Sequence, residues 1–482
     1  MQILKLPTNY ARVYRILLFI FCLSTSALAQ NQIGKGAVQA LYQQHCMSCH
    51  TETLDGGLGR SLLEPAAWKQ VGKDISFIEY VQQGNLSMGM PAFEEALSVA
   101  EIRSLEIYIS EVRLQANRDG SEPLVHKDGE VYTAGGYSFR LETVVDGLNL
   151  PWSIAFFEKE KALITERNGT LRLWDKGALS DPIVGTPAVI ANGQGGLLEV
   201  ALHPNHVENG WVYLAYSDGA DHDSDRPDSM TKIVRGRIFE NCWLDEELIF
   251  EVPAEFHRNA GVHFGTRFVF QDGYLYFGIG DRGAQDQAQD LTRPNGKIHR
   301  IYDDGRVPEN NPFTRAPGAY PSIWTYGNRN PQGLDAHPLT GAIFESEHGP
   351  RGGDEINLIK PGINYGWPVI TYGMNYNGKP ITEKTASPGM EQPLHYWTPS
   401  ISVCGIDFYE GDAFPEWKFS LFAGGLASQE LQRLVIEDNK VVQAEIILKD
   451  EGRVRDVASG PDGLLYLVLN GPGRIARLVP VK

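Results

Sequence analysis

Hydrophobic residues follow two different periods along this chain, and the change between them divides it into two parts. Residues 100–114 carry apolar side chains at helical spacing. Further on, short apolar runs such as 152–156 alternate with Gly, Asp and Pro. The pattern predicts a small all-α domain at residues 34–117 and an all-β domain at residues 137–482, with a polar linker at 118–136 between them.

The apolar runs of the second part belong to a module that repeats. A first copy starts near residue 152, and the theme starts again near Gly196, Gly265, Gly333, Gly405 and Val454. Six starts over roughly 345 residues leave room for four strands and their loops in each copy. We therefore predict a six-bladed β-propeller, whose function is expected where the loops meet the central axis.

The first 29 residues differ from the rest of the chain. Arg12 and Arg15 precede an apolar run at residues 16–23, and residues 27–29 read Ala-Leu-Ala, a cleavage site of small residues. The run is shorter than the about 20 residues that span a bilayer. The prediction is a signal peptide at residues 1–29 and a periplasmic protein without a stable membrane anchor, with an uncleaved anchor as the alternative.

Residues 46–50 read Cys-Met-Ser-Cys-His, the spacing of covalent haem attachment in c-type cytochromes. The thiols of Cys46 and Cys49 would add to the haem vinyl groups, and His50 would bind the iron. Downstream, Met90 begins a Met-Pro-Ala-Phe run that resembles the distal loop of class I cytochromes c, so it is favoured as the second iron ligand. Met88 is the competing candidate.

The net charge bears on the kind of partner, and the cysteines outside the haem motif bear on a possible disulfide. The net charge of −17 argues against nucleic acid as a partner, because phosphate recognition needs a basic surface. Of the five cysteines, Cys22 lies in the signal peptide and two belong to the haem motif. Cys242 and Cys404 remain, either as a disulfide or as two separate thiols.

Polar residues at predicted strand ends suggest a catalytic or ligand-binding site in the β-domain. Gln194 lies in a glycine-rich turn before a strand. His263 precedes a strand and Asp281 follows the next one, which makes them a candidate general base and its orienting carboxylate. Arg329, Arg453 and Arg455 stand near strand starts, where guanidinium groups suit a ligand with several carboxylates.

A fourth stretch, residues 345–358, is acidic and rich in glycine. Its carboxylates and exposed carbonyl groups suit a hard cation such as calcium, although it is not an EF-hand.

At these residues the chain resembles the soluble glucose/sorbosone dehydrogenase family, also called aldose sugar dehydrogenases. These are six-bladed propellers that use pyrroloquinoline quinone (PQQ) and calcium. The resemblance runs from about residue 148 to residue 478 and is most specific at residues 327–333, 349–359, 364–368 and 453–457.

The resemblance implies a role for each matching residue. His263 would take the hydroxyl proton as hydride leaves the anomeric carbon of the sugar for PQQ, and Asp281 would orient it. Arg329 would stabilise charge on the reduced quinone. The PQQ contacts would be Gln194, Asn330, Arg453 and Arg455.

The resemblance also implies two calcium ions and an aromatic contact. The backbone carbonyls of Gly349 and Pro350 would bind the catalytic calcium, a Lewis acid on the quinone. Glu355 and the carbonyl of Tyr365 would bind a second, structural calcium. Trp397 would line the mouth of the substrate site.

Two departures from the family pattern bear on the substrate. Val262 stands where glucose-oxidising members have Asp, and Ala427 lies where they have a Lys on the cofactor. Both departures put glucose in doubt, and the missing Lys suggests a different PQQ affinity, while the aldose chemistry stands.

The sequence therefore predicts an exported quinohaemoprotein dehydrogenase. An aldose would reduce PQQ, the fused haem would take the electrons singly, and a respiratory acceptor would receive them. The alternatives are oxidation of another aldehyde or alcohol, such as sorbosone, or a propeller that only binds a ligand.

Overall fold

The structure, a computed structural model, describes residues 36–64, 75–119, 129–222 and 224–481. The predicted signal peptide lies outside these ranges. The chain divides into two compact units. We call them the helical unit, with residues up to 119 and residues 373–383, and the propeller unit, with the other residues from 120 onward.

Within the residues that the structure describes, the helical unit contains four α-helices and a 3-10 turn. They are α1 (Gly36–His45), α2 (Met47–His50), α3 (Phe77–Gln83), the 3-10 turn Leu86–Met88, and α4 (Val99–Asp119). The predicted apolar stripe of α4 is buried, and Ile102, Leu105 and Ile109 share one core with Val38 and Tyr42 of α1. The helical spacing of apolar residues in the sequence thus corresponds to core positions, as expected for a helix with one buried face.

Side chains at the helix starts explain where α3 begins. Ser76 Oγ accepts a hydrogen bond from the Glu79 backbone N–H at 3.2 Å, and the Glu79 carboxylate accepts one from the Ser76 N–H at 3.1 Å. This reciprocal pair is a capping box, which satisfies two backbone donors that a helix start leaves unpaired.

The propeller unit is a ring of six antiparallel sheets. Its first strands are β1 (Val131–Ala134) and β2 (Tyr137–Val145). Blade 1 contains β3 (Pro151–Glu158), β4 (Lys161–Glu166), β5 (Thr170–Asp175) and β6 (Ala178–Leu179). Blade 2 contains β7 (Leu197–Leu202), the helical turn α5 (His206–Asn209), β8 (Val212–Asp218), β9 (Met230–Phe239) and β10 (Cys242–Phe250).

The remaining blades follow in chain order. Blade 3 contains β11 (Phe268–Gln271), β12 (Tyr274–Ile279), β13 (Lys297–Tyr302) and β14 (Ile323–Tyr326), and blade 4 contains β15 (Pro331–Ala336), β16 (Ile343–Glu347), β17 (Asp354–Leu358) and β18 (His395–Trp397). Blade 5 contains β19 (Val403–Phe408), β20 (Leu421–Gly425), β21 (Glu430–Glu437) and β22 (Lys440–Lys449), and blade 6 contains β23 (Arg453–Ser459), β24 (Leu465–Asn470) and β25 (Arg474–Pro480). Short 3-10 turns lie at Ala254–Phe256, Gln285–Ala288 and Pro415–Trp417.

The ring closes through strands from the two ends of the propeller sequence. Strand β2 pairs with β25, with Leu141 opposite Leu478, so β1 and β2 complete the sheet of blade 6. The closing strands share a core with Trp417 of blade 5. Closure packs the last blade against the first, with Tyr466 of β24 and Ile154 of β3 in one core.

The six predicted modules coincide with the first strands of the six blades, so the predicted fold class is confirmed. The linker predicted at 118–136 differs in detail, because α4 ends at Asp119 and β1 occupies Val131–Ala134. Residues 373–383, predicted within the propeller domain, belong to the helical unit.

The structure also shows the state of the two cysteines outside the haem motif and whether any described helix could span a membrane. Cys242 and Cys404 are separate free thiols, the first half-buried and the second buried. Within the described ranges, no helix is long and apolar enough to cross a membrane.

Candidate active site and haem site

The predicted residues of the propeller unit cluster where the inner strands begin. Gln194 lies in the turn before β7, His263 precedes β11, Asn330 precedes β15, and Arg455 lies in β23. Inner strands of a propeller run in the same direction, so these starts share one face of the ring. Gln194 is hydrogen-bonded to His263, Asn330 to Gly265 and Arg455 to Gln332.

His263 and Asp281 form a hydrogen-bonded dyad. The His263 Nδ1 lies 2.6 Å from Asp281 Oδ1, and the Asp281 side chain is fully buried. Asp281 also accepts hydrogen bonds from the Gly283 N–H at 2.7 Å and from the Trp367 indole N–H at 2.8 Å. The carboxylate is thus held by three donors, which fix its orientation toward the imidazole.

The electrostatic surroundings favour neutral His263 beside ionised Asp281. Burial, together with the charge of Arg329, lowers the pKa of His263 below its ordinary value. Burial alone would raise the pKa of Asp281, but the hydrogen bond and charge of His263, together with Arg329, hold it below its ordinary value. Because a carboxylate only accepts, the proton is on Nδ1, and Nε2 is free to act as a base.

The backbone of His263 is held in an unusual conformation. Its φ is 55°, in the left-handed region, which a residue with a side chain adopts at a cost of about 1 kcal/mol or more. The Gln194 side-chain oxygen accepts a hydrogen bond from the His263 N–H at 2.7 Å. Gln194 therefore helps to hold the imidazole at the start of the strand, in addition to its predicted role toward PQQ.

Arg329 is buried next to the dyad. Its backbone N–H donates to Glu347 Oε1 at 2.7 Å, and its Nη1 donates to the carbonyl oxygens of His348 and Gly349, both at 2.6 Å. The guanidinium lies 5.4 Å from the centre of the Trp367 ring. A buried, fixed cation here can stabilise negative charge that develops beside His263.

Arg455 is a second arginine of the site, and it forms no ion pair within the described ranges. Arg455 Nη1 donates to Gln332 Oε1 at 3.0 Å and to Cys404 Sγ at 3.2 Å, but its Nε is buried without a hydrogen-bond partner. Among the residues that the structure describes, no carboxylate pairs with Arg455. Burial lowers its pKa, and the nearby charges of Arg267 and Arg453 lower it further. This surplus charge fits an anionic ligand such as the PQQ carboxylates.

Of the other predicted contacts, Arg453 is exposed at the start of β23, whereas Asn330 and Trp397 have structural hydrogen bonds. Asn330 Oδ1 accepts from the Gly265 N–H at 3.2 Å, which places the amide between blades 3 and 4. Trp397 is only 7% exposed, and its indole N–H donates to Gln432 Oε1 at 2.9 Å. Little of its ring is available to a sugar, so its role at the substrate mouth stays a prediction.

The predicted ligands of the catalytic calcium form a tight turn after β16. The Gly349 carbonyl accepts from Arg329, and the Pro350 carbonyl accepts from Ser400 Oγ at 2.9 Å. A Cβ on Gly349 would lie 1.7 Å from the Gly353 carbonyl oxygen, so this backbone path requires glycine. Each carbonyl has a second lone pair that can bind a cation.

Buried carboxylates surround the predicted second calcium site. Glu345 Oε1 and Asn357 Oδ1 are buried without hydrogen-bond partners. The Asn357 side-chain amide donates to Glu345 Oε2 at 3.0 Å and to Glu355 Oε2 at 3.4 Å. Burial and the neighbouring carboxylate of Glu347 raise the pKa of Glu345 and of Glu355 well above the ordinary value.

This cluster fits a hard cation that also takes neutral oxygen ligands. Among the described residues, no group of three or more His, Cys, Asp or Glu side chains is arranged to hold a metal by itself. Amide and carbonyl oxygens are ordinary calcium ligands, and Asn357 and the predicted Tyr365 carbonyl are of that kind. The prediction named Glu355 and Tyr365 as calcium ligands. It did not include Glu345 and Asn357, which carry the buried oxygen atoms without hydrogen-bond partners.

Two residues that lie close to the dyad in the structure were not predicted as site residues. Trp367 lies in the motif at residues 364–368, but its bond to Asp281 joins positions 86 apart in the chain. His348, whose pKa is lowered well below its ordinary value by burial and by Arg329, His263 and Arg455, lies among these charged side chains. Proximity of this kind is a property of the fold and has no signal in local sequence.

The predicted haem ligands all lie in the helical unit. The His50 Nδ1 lies 2.8 Å from the Arg60 carbonyl oxygen, which can only accept, so Nε2 is left for the iron. Cys46 and Cys49 are half-buried free thiols. Met90 packs against the unit's core together with Cys46, whereas Met88 is 52% exposed. These surroundings fit haem and favour Met90 over Met88.

The glucose/sorbosone dehydrogenase family model matches residues 148–477, which is more than half of the chain. The chain belongs to the glucose/sorbosone dehydrogenase family. A second family model, cbb3-type cytochrome c oxidase subunit III, matches residues 36–109. The two matches fall on the two parts that the hydrophobic pattern separates, and the predicted family and cytochrome c domain are confirmed.

Known relatives and structures cover most of the propeller unit. Aldose sugar dehydrogenase YliI of Escherichia coli is 39% identical over 367 residues, covering 74% of this chain and 97% of YliI. The crystal structure of the soluble aldose sugar dehydrogenase from Escherichia coli in the apo-form matches with a TM-score of 0.67 and 39% identity, covering 71% of this chain and 100% of that one.

A cofactor-bound structure also matches. The PQQ-bound form of aldose sugar dehydrogenase from Streptomyces coelicolor has a TM-score of 0.57 and 28% identity, covering 71% of this chain and 98% of that one. The prediction that the second domain is a dehydrogenase is confirmed. The roles predicted for individual residues stay predictions.

The bond from Trp367 to Asp281 generates a prediction on pH dependence. His263 acts as a base only when neutral, so kcat/KM falls at low pH with an apparent pKa below the ordinary 6.5. In Trp367→Phe the carboxylate loses a donor and stabilises the imidazolium more strongly. The acidic limb of the profile should move to higher pH, and kcat/KM near neutral pH should fall about tenfold.

Trp324→Phe, in β14, is the matched control and should leave the profile unchanged. An acidic limb that stays in place in Trp367→Phe would show that Trp367 does not position the dyad.

The iron ligands generate a second prediction. Met90→Ala should abolish the near-infrared sulfur-to-iron absorption band while the haem stays covalently attached. Met88→Ala, the control, should keep the band. The assignment is wrong if the band survives in Met90→Ala and disappears in Met88→Ala.

Proposed function

We propose that the protein is an exported quinohaemoprotein dehydrogenase that oxidises aldose sugars at the anomeric carbon to lactones. Electrons would pass from PQQ to the fused c-type haem and on to a respiratory acceptor. The observation that carries the proposal is the imidazole of His263, neutral and fixed by a fully buried Asp281 beside the cation of Arg329. Proton abstraction from a sugar hydroxyl needs this arrangement.

Each residue of the site has a defined task in this reaction. Nε2 of His263 accepts the anomeric hydroxyl proton, and Asp281 stabilises the imidazolium that forms. Bound PQQ supplies the two-electron oxidant that accepts the hydride. Arg329 offers a fixed positive charge, and Gln194 holds the His263 backbone. Asn330, Arg453 and Arg455 would hold the carbonyl and carboxylate groups of PQQ.

PQQ and haem c are the cofactors that the family matches support, as predicted. Calcium belongs to the proposal. The buried oxygen atoms of Glu345 and Asn357 that have no partner support a second, structural ion close to Glu355 and Tyr365. The carbonyls of Gly349 and Pro350 are the proposed ligands of a catalytic ion.

The partners follow from the chemistry. The substrate is an aldose, and the downstream acceptor is a soluble cytochrome, an oxidase or a quinone. Covalent attachment of haem through Cys46 and Cys49 takes place outside the cytoplasm, which supports the periplasm as the location. The acidic net charge of −17 supports the absence of a nucleic acid partner.

The proposal is tested by following the haem spectrum. Protein carrying haem but no PQQ is mixed anaerobically with aldoses, then with PQQ and calcium. Reduction of the haem should require an aldose and PQQ together. In His263→Gln the rate should fall at least about 100-fold, because a general base contributes that much or more.

His206→Gln is the matched control, since His206 begins the turn α5 beyond the far end of β7. It should keep the wild-type rate. Haem reduction by an aldehyde or alcohol but by no aldose would select the sorbosone-like alternative, for which the departures at Val262 and Ala427 leave room. If none of these substrates reduces the haem, the dehydrogenase proposal fails and the alternative of a propeller that only binds a ligand remains.

Calcium binding is tested through stability. A cation that balances the buried carboxylates binds only the folded state, so it raises the melting temperature. Calcium should therefore raise Tm and a chelator should lower it, and the shift should be lost in Glu355→Gln. The exposed Glu437→Gln should respond as the wild type does. A full calcium shift in Glu355→Gln would place the ion elsewhere.

A further inference from the structure

A short piece of the chain between two strands of blade 4 is built into the helical unit. Strand β17 ends at Leu358 and β18 begins at His395, and residues 373–383 of this connection cluster with the helices of the helical unit. We call this piece the 373–383 segment. Sequence position alone would assign this segment to the propeller unit, because the rest of the connection belongs to that unit.

The 373–383 segment completes the starts of the two main helices of the helical unit. The Asn377 carbonyl accepts a hydrogen bond from the Ala37 N–H at the start of α1, at 3.3 Å. The Glu383 carboxylate accepts one from the Ala100 N–H at the start of α4, at 3.0 Å. Helix starts expose unpaired N–H groups and attract negative charge, so both contacts stabilise the helices.

Buried side chains add to the contacts between the 373–383 segment and the helices. Met374 is 1% exposed and lies in the core of the helical unit with Tyr42 and Tyr108. Arg103 of α4 is 6% exposed and donates to the carbonyl oxygen of Glu383 at 3.3 Å. The segment therefore contributes both apolar burial and paired polar groups to the helical unit.

Close packing fixes the middle of the segment as well. Gly378 has a φ of 82°, and a Cβ there would lie 2.8 Å from the Val38 backbone nitrogen of α1. Only glycine satisfies both conditions. The segment therefore packs against α1 so closely that no side chain fits between them at this position.

The segment continues directly from the active site along the chain. Gly373 follows Trp367 by six positions, and the Trp367 indole N–H donates to Asp281 of the dyad. One connection thus supplies a positioning residue for the proposed base and two helix-start contacts for the helical unit.

We propose that the 373–383 segment is a second attachment of the helical unit, independent of the linker near residue 120. It ties the haem-carrying unit to the connection between β17 and β18 at a second point, so the two units stay joined even when the linker is cut. The part that concerns electron transfer rests on the proposed function. There, each oxidised sugar would yield two electrons, and the ferric haem would accept them one at a time, with an external acceptor reoxidising it between the two transfers.

The attachment is tested without any turnover. A protease recognition sequence is placed in the linker of the full-length protein with attached haem, and the linker is cut. The helical unit, followed by its haem absorbance, should coelute with the propeller unit on gel filtration. The double variant Met374→Ser, Glu383→Ala should release it. Lys379→Ala, an exposed position of the same segment, should not.

Intact haem absorbance in the released unit distinguishes loss of attachment from failure to fold. Separation of the two units in the cut wild-type protein overturns the proposal. Coelution of the units in the double variant overturns it as well.

Electron transfer is measured on the same samples. After cutting, haem reduction by sugar in the PQQ-loaded wild-type protein should stay within about twofold of the uncut rate. In the cut double variant it should fall at least tenfold, while reduction of a soluble dye by sugar is unchanged. If the uncut protein shows no sugar-dependent reduction of haem or dye, the proposed function fails, whereas the coelution result still decides the attachment.

Discussion

Arg267, just before the first strand of blade 3 and four positions after His263, joins four other blades of the propeller at once. Its Nη1 donates to Glu199 Oε2 of blade 2 at 2.6 Å, and its Nη2 lies 3.0 Å from Asp456 Oδ1 of blade 6. Its Nε donates to the Gln332 carbonyl of blade 4 at 3.1 Å, and its guanidinium stacks 4.0 Å from the Trp152 ring of blade 1. A buried cation with two carboxylate partners would cost about 3–5 kcal/mol to disrupt.

The same contacts set the spacing of the proposed cofactor site. Gln332 accepts at its backbone carbonyl from Arg267 and at its side chain from Arg455. The Arg455 carbonyl in turn accepts from Arg267 Nη2 at 3.1 Å. Arg267 has two carboxylate partners, whereas Arg455 forms no ion pair among the described residues and its Nε is buried without a hydrogen-bond partner. This difference supports the proposal that Arg267 holds the ring together while Arg455 binds an anion.

Much of the fold could be predicted from sequence because it depends on local patterns. The blade starts follow from apolar runs after glycine, and the helical stripe of α4 follows from core spacing. The dyad of His263 and Asp281 was predicted from the positions of the two residues at strand ends and from the family resemblance, and the structure joins the two side chains. The Trp367 bond and the 373–383 segment were not predicted, because both join residues that are distant in sequence. Burial, which sequence cannot report, separates Met90 from Met88 and hides Trp397.

The central claim is that one chain carries electrons from a sugar to its own haem. The most direct test is the rate constant of haem reduction after anaerobic mixing of the PQQ-loaded protein with excess aldose, measured at several protein concentrations. Transfer within one chain predicts a rate constant that does not change with protein concentration. A rate constant that rises in proportion to protein concentration would show that electrons pass between molecules and would contradict the account.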